Sequence, residues 1–269
     1  MRNLARQAAR SLATAISALA LASLVVSAPS SDTRAGEAEA KHLLKALSDY
    51  LAAQKFISFG FDTNFEVVTK DGHKLLLASS GTIDLSRPDK IRATRTGGFA
   101  NVEMIFDGKT LTLLGKNANL YAQVEVPGTV DNLIDELREK LHKPIPGADL
   151  LSSNVYDQLM SEVAEAKDLG SGVIGGTECD HLAFRSKDVD WQIWIAQGER
   201  PYPCRYVITS KTVDHAPQYS IQIRDWKTGT EVGAGNFGFT NATNARKMDA
   251  QEITELREMP KHFVIGGVQ

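Results

Sequence analysis

The sequence lacks the features of a disulfide scaffold, a nucleic-acid binder or an integral membrane protein. It has 2 cysteines in 269 residues, too few for a disulfide-dense fold. Its 30 Lys plus Arg nearly balance its 33 Asp plus Glu, so it lacks the basic surface of a general nucleic-acid binder. Beyond the N-terminus, no run is long and apolar enough to span a bilayer. With 42% hydrophobic residues, most of the chain should still bury a globular core.

Common catalytic motifs are also missing. There is no G-x-S-x-G nucleophile elbow, no P-loop and no H-E-x-x-H zinc helix. Residues 233–238 match G-x-G-x-x-G, but no helix pattern follows, which favours a glycine-rich turn. The only support for an enzyme or a metal site is the polar cluster at 179–181 and 188–190, and such clusters are usually surface side chains. We therefore expect no enzyme, no cofactor and no metal.

The N-terminus has the layout of a secretory signal peptide. Arg2, Arg6 and Arg10 precede a charge-free run at 11–26, and a stretch of small residues follows. We predict a signal peptide over residues 1–30, with cleavage between about 28 and 35. A membrane anchor is the alternative, but the run is shorter than the ~20 residues a span needs. The mature protein is expected to be soluble, periplasmic and without a transmembrane segment.

Hydrophobic periodicity predicts one helix and then a series of strands. Residues 37–54 carry leucines at helical spacing, and from Ile57 the period switches to two. The Asp71-Gly72 pair predicts a tight hairpin. Strands are predicted near residues 57–67, 75–85, 90–96, 100–107, 109–115 and 119–125. This succession of hairpins indicates an antiparallel meander.

A helical insert and a second series of strands follow. Val130, Leu133 and Leu137 form the apolar stripe of an amphipathic helix at about 129–142, and a shorter helix is plausible at 150–163. Strands are predicted to resume near 165–174, 177–186, 189–196, 203–211, 217–226 and 235–241. We expect one domain over 36–247, with the insert at 127–165, and a C-terminal tail over 248–269.

The predicted fold class is mainly β (α+β). It is a strongly curved antiparallel sheet or half-open β-barrel of about 10–12 strands, with a helical lid on the concave side. Such a sheet can hold either a packed core or a lipid-sized cavity, and the sequence does not decide which. The candidate ligand-binding residues on the concave face are Phe59, Phe61, Phe65, Leu75, Leu77, Val102, Met104 and Phe106.

Two motifs resemble those of the periplasmic lipoprotein carriers of the localisation pathway, the LolA/LolB-like superfamily. Residues 81–88 read Gly-Thr-Ile-Asp-Leu-Ser-Arg-Pro, and residues 107–111 read Asp-Gly-Lys-Thr-Leu. The resemblance covers roughly residues 37–125 and is closest to a branch of predicted exported proteins of unknown function. It implies a half-open barrel under a helical lid, with an apolar interior that takes up acyl chains. It also implies that Arg87 contacts the lid, together with Leu133 and Leu137. Simple turn chemistry is the alternative explanation of Arg87-Pro88.

The resemblance is incomplete, because the insert is longer than the carriers' lid segment. We therefore expect a soluble periplasmic carrier or binder of a lipid, a lipoprotein acyl chain or another hydrophobic ligand. The alternative is a sensor or interaction module that binds a partner envelope protein without lipid transport.

A disulfide between Cys179 and Cys204 is also predicted. An oxidising compartment favours the bond, but a simple meander would place the two residues about 10 Å apart, beyond the ~7 Å Cα limit. The loop at 197–203 could bring the strand ends together.

Overall fold

The computed structural model describes residues 31–98, 100–139, 146–233 and 235–249. The predicted signal peptide and nearly all of the predicted tail lie outside the described residues. The helices are α1 (Ser31–Ala53), α2 (Val130–Glu139) and α3 (Val155–Met160). The strands are β1 (Phe56–Val68), β2 (Lys74–Ser86), β3 (Lys90–Gly97), β4 (Asn101–Phe106), β5 (Thr110–Gly115), β6 (Leu120–Glu125), β7 (Glu165–Ile174), β8 (Thr177–Arg185), β9 (Val189–Ala196), β10 (Pro203–Ser210), β11 (Gln218–Thr228) and β12 (Arg246–Lys247).

All twelve strands belong to one sheet, in the order β12-β6-β5-β4-β3-β2-β1-β11-β10-β9-β8-β7. The chain forms one antiparallel meander from β1 to β6 and a second from β7 to β11, and the pairing of β1 with β11 joins them. β12 pairs in parallel with β6. The outer strands β12 and β7 do not pair with each other, so the sheet is not closed into a barrel. The predicted mainly β, open, antiparallel fold is confirmed.

Three register shifts interrupt the pairing of this sheet. They lie at Ser58/Gly60 in the β1–β11 pair, at Asp168/Ser171 in the β7–β8 pair and at Pro203/Arg205 in the β9–β10 pair. An extra residue in one strand increases the local twist and bends the strand. These shifts therefore favour the strong curvature that the strand count predicts.

Helix α1 packs against one half of the sheet. Leu44, Leu47 and Leu51 are fully buried, as their helical spacing predicts. The helix contacts β7, β8, β9 and α3. On the strand side, Leu182 and Ile193 are also fully buried. This half of the fold is therefore a packed core.

Two sequence predictions need correction in the second half of the chain. The described residues within 235–241 form no strand, and the last strand is the two-residue β12. Asn236 instead accepts a hydrogen bond from Arg92 of β3, and residues 239–248 lie along β6: the rings of Phe239 and Tyr121 are 4.9 Å apart, and Met248 N donates to the Tyr121 carbonyl at 2.8 Å. The helix predicted at 150–163 is a 3₁₀ turn (Ala148–Leu151) followed by α3.

The two cysteines lie in a small buried cluster beside Ala196. Cys179 on β8 pairs with Ala196 on β9, and Cys204 is the extra residue of the β9–β10 bulge. The bulge places the start of β10 in the same cluster as Cys179. Both thiols are unbonded in the structure. Burial raises the pKa of both, and the interaction with Cys179 raises the pKa of Cys204 further.

We expect these thiols to form a disulfide in protein exported to an oxidising periplasm, because they are in contact across the bulge. The same protein made in a reducing cytoplasm should keep both thiols and resist alkylation while folded, since raised pKa values leave little reactive thiolate. Intact mass before and after reduction and alkylation measures both states. Two free thiols in the exported protein would contradict the prediction, and Cys179→Ser is the control that cannot form the bond.

Candidate ligand-binding cavity

A cavity of about 500 Å³ lies between α2 and the half of the sheet formed by β1–β5 and β11. Binding sites for small molecules typically measure roughly 300–1,000 Å³. None of the described residues that line this cavity comes from α1, which packs on the other half of the sheet. The concave side therefore combines a solid core with a separate hollow under α2.

The walls of the cavity are built from rows of side chains that cross the sheet. Side chains on one face recur every second residue, so the strand register aligns them with those of neighbouring strands. The first row is fully packed, with residues at most 2% exposed: Ile57, Leu85, Ile91, Phe106 and Leu111. The second row lines the cavity and is entirely apolar: Phe59, Ile83, Ala93, Met104 and Leu113.

The cavity is closed at the first row and open at the other end of β1. Along this strand, Phe59 is 5% exposed, Phe61 is 7% exposed and Phe65 is 45% exposed. At the closed end, Trp226 stacks on Phe59 with 5.3 Å between ring centroids, and its indole N–H donates to the Tyr50 hydroxyl at 3.2 Å. Depth in the cavity therefore follows β1 from Phe59 to Phe65.

Among the described lining residues, the charged side chain and the paired hydroxyl groups belong to the rows nearer the opening. Arg95 on β3 lies between Gly81 and Val102 in the third row. In the fourth row, the hydroxyl oxygens of Thr63 and Ser79 are 2.7 Å apart. Among the described residues that line the cavity, Arg95 is the one with a charged side chain. Arg95, Thr63 and Ser79 form what we call the polar band.

Tyr219 faces Phe65 at the opening and lies within the electrostatic reach of the polar band. Burial raises the pKa of the Tyr219 phenol to about 12, and the positive charge of Arg95 opposes that rise. The phenol is therefore neutral near pH 7 and keeps a proton that it can donate. Tyr219 also lines the cavity, opposite Ile134 and Leu137 of α2.

A second cavity of about 460 Å³ adjoins the first at its open end. Both are lined by Phe65 and Tyr219 on the sheet and by Ile134 and Leu137 on α2. Arg138 and Asp149, which form an ion pair, lie at its edge. The hollow under α2 thus continues outward past Phe65.

The lid over the cavity is anchored at the Arg87-Pro88 corner. The guanidinium Nη2 of Arg87 donates to the Ser152 carbonyl at 3.0 Å, and Val130 N donates to the Pro88 carbonyl at 2.9 Å. Burial lowers the pKa of Arg87, and the nearby charge of Asp131 opposes this. The corner therefore connects the end of β2 with the first turn of α2 and with the 3₁₀ turn.

Most of the residues selected from the sequence come together in this cavity. Six ligand-binding candidates line it: Phe59, Phe61, Phe65, Leu77, Val102 and Met104. Leu133 and Leu137 line it from α2. Two candidates lie outside its walls. Phe106 belongs to the packed first row, and Leu75 pairs with Val67 beyond Phe65.

The sequence reasoning missed Arg95, Tyr219 and Trp226 as lining residues. A signal for Arg95 was present, because it continues the inward alternation of Ile91 and Ala93. A charged residue at an inward strand position marks either a partnered site or a wet one. The pairing of β1 with β11 brings Tyr219 and Trp226 to the cavity, and that pairing has no local sequence signal.

The polar cluster at 179–190 forms no site of its own. His181 stacks on Trp194 with 4.0 Å between ring centroids, and its Nε2 lies 2.9 Å from Gln192 Oε1. Within the described ranges, no group of three or more His, Cys, Asp or Glu side chains is placed to hold a metal ion. In the same ranges, no helix has both the length and the apolar character to cross a bilayer.

One known protein family matches this chain, over residues 40–250. The matching family is described as "Predicted periplasmic protein (DUF2092)". The chain belongs to this family. This description agrees with the branch of predicted exported proteins that the sequence motifs indicate. Among curated proteins, none matches the chain.

Several solved structures resemble the chain at low identity. LprF from Mycobacterium bovis is 13% identical over 76% of this chain and 99% of that chain, with a TM-score of 0.45. The Pseudomonas aeruginosa MucA/MucB complex contains a chain with 13% identity, 75% and 61% coverage and a TM-score of 0.44. The LolA superfamily protein NE2245 from Nitrosomonas europaea is 12% identical over 70% of this chain and 92% of that chain, with a TM-score of 0.32.

Replacing Arg87 by Met should loosen the lid, because the Ser152 carbonyl loses a charged donor in a half-buried position. We expect the free energy of unfolding to fall by about 1.5–3 kcal/mol. Amide hydrogen exchange should accelerate in α2 and in residues 148–160, but not in β8–β10.

The matched control is Arg185→Met, which removes an arginine with 58% of its side chain exposed. It should change stability by no more than about 0.5 kcal/mol. Equal effects of the two substitutions, or unchanged exchange in α2, would show that Arg87 does not hold the lid.

Proposed function

We propose that this protein is a soluble periplasmic binding or carrier protein for a hydrophobic ligand, such as a lipid or an acyl chain, held under α2. The observation that carries the proposal is the cavity of about 500 Å³ with an entirely apolar second row. Water can form few hydrogen bonds to such walls. Filling the space with an alkyl chain is therefore more favourable in free energy than filling it with water.

The shape of the cavity supports a chain-like ligand. It is closed by the first row and by Trp226, and it opens past Phe65 into the second cavity. Each methylene group transferred from water to such walls contributes about 0.8 kcal/mol. Affinity should therefore rise with chain length until the hollow is filled.

The composition of the lining supports binding rather than catalysis. Among the described lining residues there is no His, Cys, Asp or Glu, so the side chains that usually act as general bases are missing from this set. The periplasmic location is supported by the predicted signal peptide and by the description of the family.

Docking of an envelope protein partner is the alternative. In that case the cavity would take up no ligand, and the partner would contact the exposed surface near Phe65. The uptake experiment below separates the two functions.

Replacing Met104 by Trp should block uptake without unfolding the protein, because the larger side chain projects from the second row into the cavity. Wild-type protein should enhance the fluorescence of the uncharged probe N-phenylnaphthylamine, and alkanes or fatty alcohols should displace it. We expect at least a tenfold weaker apparent affinity for Met104→Trp, with an unchanged far-UV circular dichroism spectrum.

The control is Leu76→Trp, which adds the same side chain at a position 61% exposed on the opposite face of β2. It should bind the probe as the wild type does. If the wild type takes up neither probe nor alkyl chain, the proposed function is wrong and partner docking is favoured.

A further inference from the structure

The cavity changes chemical character along its length. From the closed end, two rows of apolar side chains are followed by the polar band of Arg95, Thr63 and Ser79, with Tyr219 nearby. Beyond the polar band the walls become apolar again at Phe65 and Leu77. A ligand that fills this space meets hydrocarbon at depth and hydrogen-bonding groups nearer the opening.

The charge in the polar band is positive. Arg95 is the charged side chain among the described lining residues, and none of these residues is acidic. A guanidinium has five N–H donors in a planar fork that matches carboxylate and phosphate oxygens, so it can serve acceptors of the protein and of a ligand together. The chemistry of the polar band therefore favours an anion.

We propose that the cavity binds a single-chain amphiphile with an acidic head group, whose carboxylate or phosphate pairs with Arg95 while its tail extends toward Phe59 and Ile91. This inference rests on the proposed function and names the class of ligand. Arg95 and Ile91 are four residues apart on β3, which corresponds to about 13 Å at ~3.3 Å per residue. That depth suits one extended alkyl chain of medium length.

The neighbouring hydroxyl groups fit the same orientation. Thr63 and Ser79 lie one row closer to the opening than Arg95, and because one hydroxyl of this pair donates to the other, the accepting hydroxyl keeps its own proton for a head-group oxygen. Tyr219 faces this region with a neutral phenol, because burial raises its pKa to about 12. The described side chains around the head group therefore supply hydrogen-bond donors and no carboxylate.

Gly81, the neighbour of Arg95 on β2, has no side chain, and the Phe61 ring lies over it. A Cβ atom at this position would lie 2.4 Å from Phe61 Cζ and 2.0 Å from the Thr94 carbonyl oxygen. Arg95 therefore has a glycine on β2 and Val102 on β4 as its lateral neighbours in the third row.

The test compares head groups on one alkyl chain. Dodecanoate, dodecyl phosphate, 1-dodecanol and dodecyltrimethylammonium are titrated against N-phenylnaphthylamine bound to wild-type protein. We expect the two anions to displace the probe at least tenfold more tightly than the alcohol, and the cation to bind most weakly. The two anions together decide between carboxylate and phosphate as the preferred head group.

Arg95→Gln should remove the preference for anions and leave 1-dodecanol binding unchanged, while Arg95→Lys should keep part of it. The matched control is Arg224→Gln, an arginine 47% exposed beside Asp62 on the outer face, which should behave as the wild type. Probe uptake shows that each variant is folded. If Arg95→Gln does not fold, the head-group series on the wild type still decides.

The outcomes separate this inference from the proposed function. Equal binding of anions and alcohol by the wild type, or an anion preference that survives Arg95→Gln, would overturn the role of Arg95 while leaving a hydrophobic binding protein. Uptake of neither the probe nor any amphiphile would overturn the proposed function itself.

Discussion

The architecture depends on how the apolar concave face of one large open sheet is covered. Twelve strands present more apolar surface than a single helix can bury, so the two halves are covered in different ways. Helix α1 packs directly on β7–β9 and makes a solid core. The other half is covered by α2, whose Leu133 and Leu137 face the cavity. The hollow is therefore a consequence of the length and placement of the helices, not of a local defect in packing.

The strand register then determines the chemistry inside the hollow. Because inward residues align in rows across β1–β4, a single arginine in β3, Arg95, places a guanidinium at a defined depth. An apolar end, a polar band and an apolar opening follow from this alignment.

Much of the fold could be predicted from the sequence, because alternation with period two is a local property. The bounds of β3, β5, β7 and β9 agree within about one residue with those predicted. The predictions that were wrong concern segments whose position is set by tertiary contacts. Residues 235–241 carry a strand-like pattern, yet they lie against β6 through Phe239 instead of pairing in the sheet. Likewise, only the pairing of β1 with β11 brings Tyr219 and Trp226 into the cavity, and no short-range pattern encodes that pairing.

If the space under α2 holds an amphiphilic ligand, native mass spectrometry should detect it on the full chain, exported and extracted from the periplasm without detergent. We expect a population whose mass exceeds that of the protein by one amphiphile, which dissociates as an anion on collisional activation. A single species at the mass of the unliganded protein, unchanged after incubation with dodecanoate, would contradict this expectation.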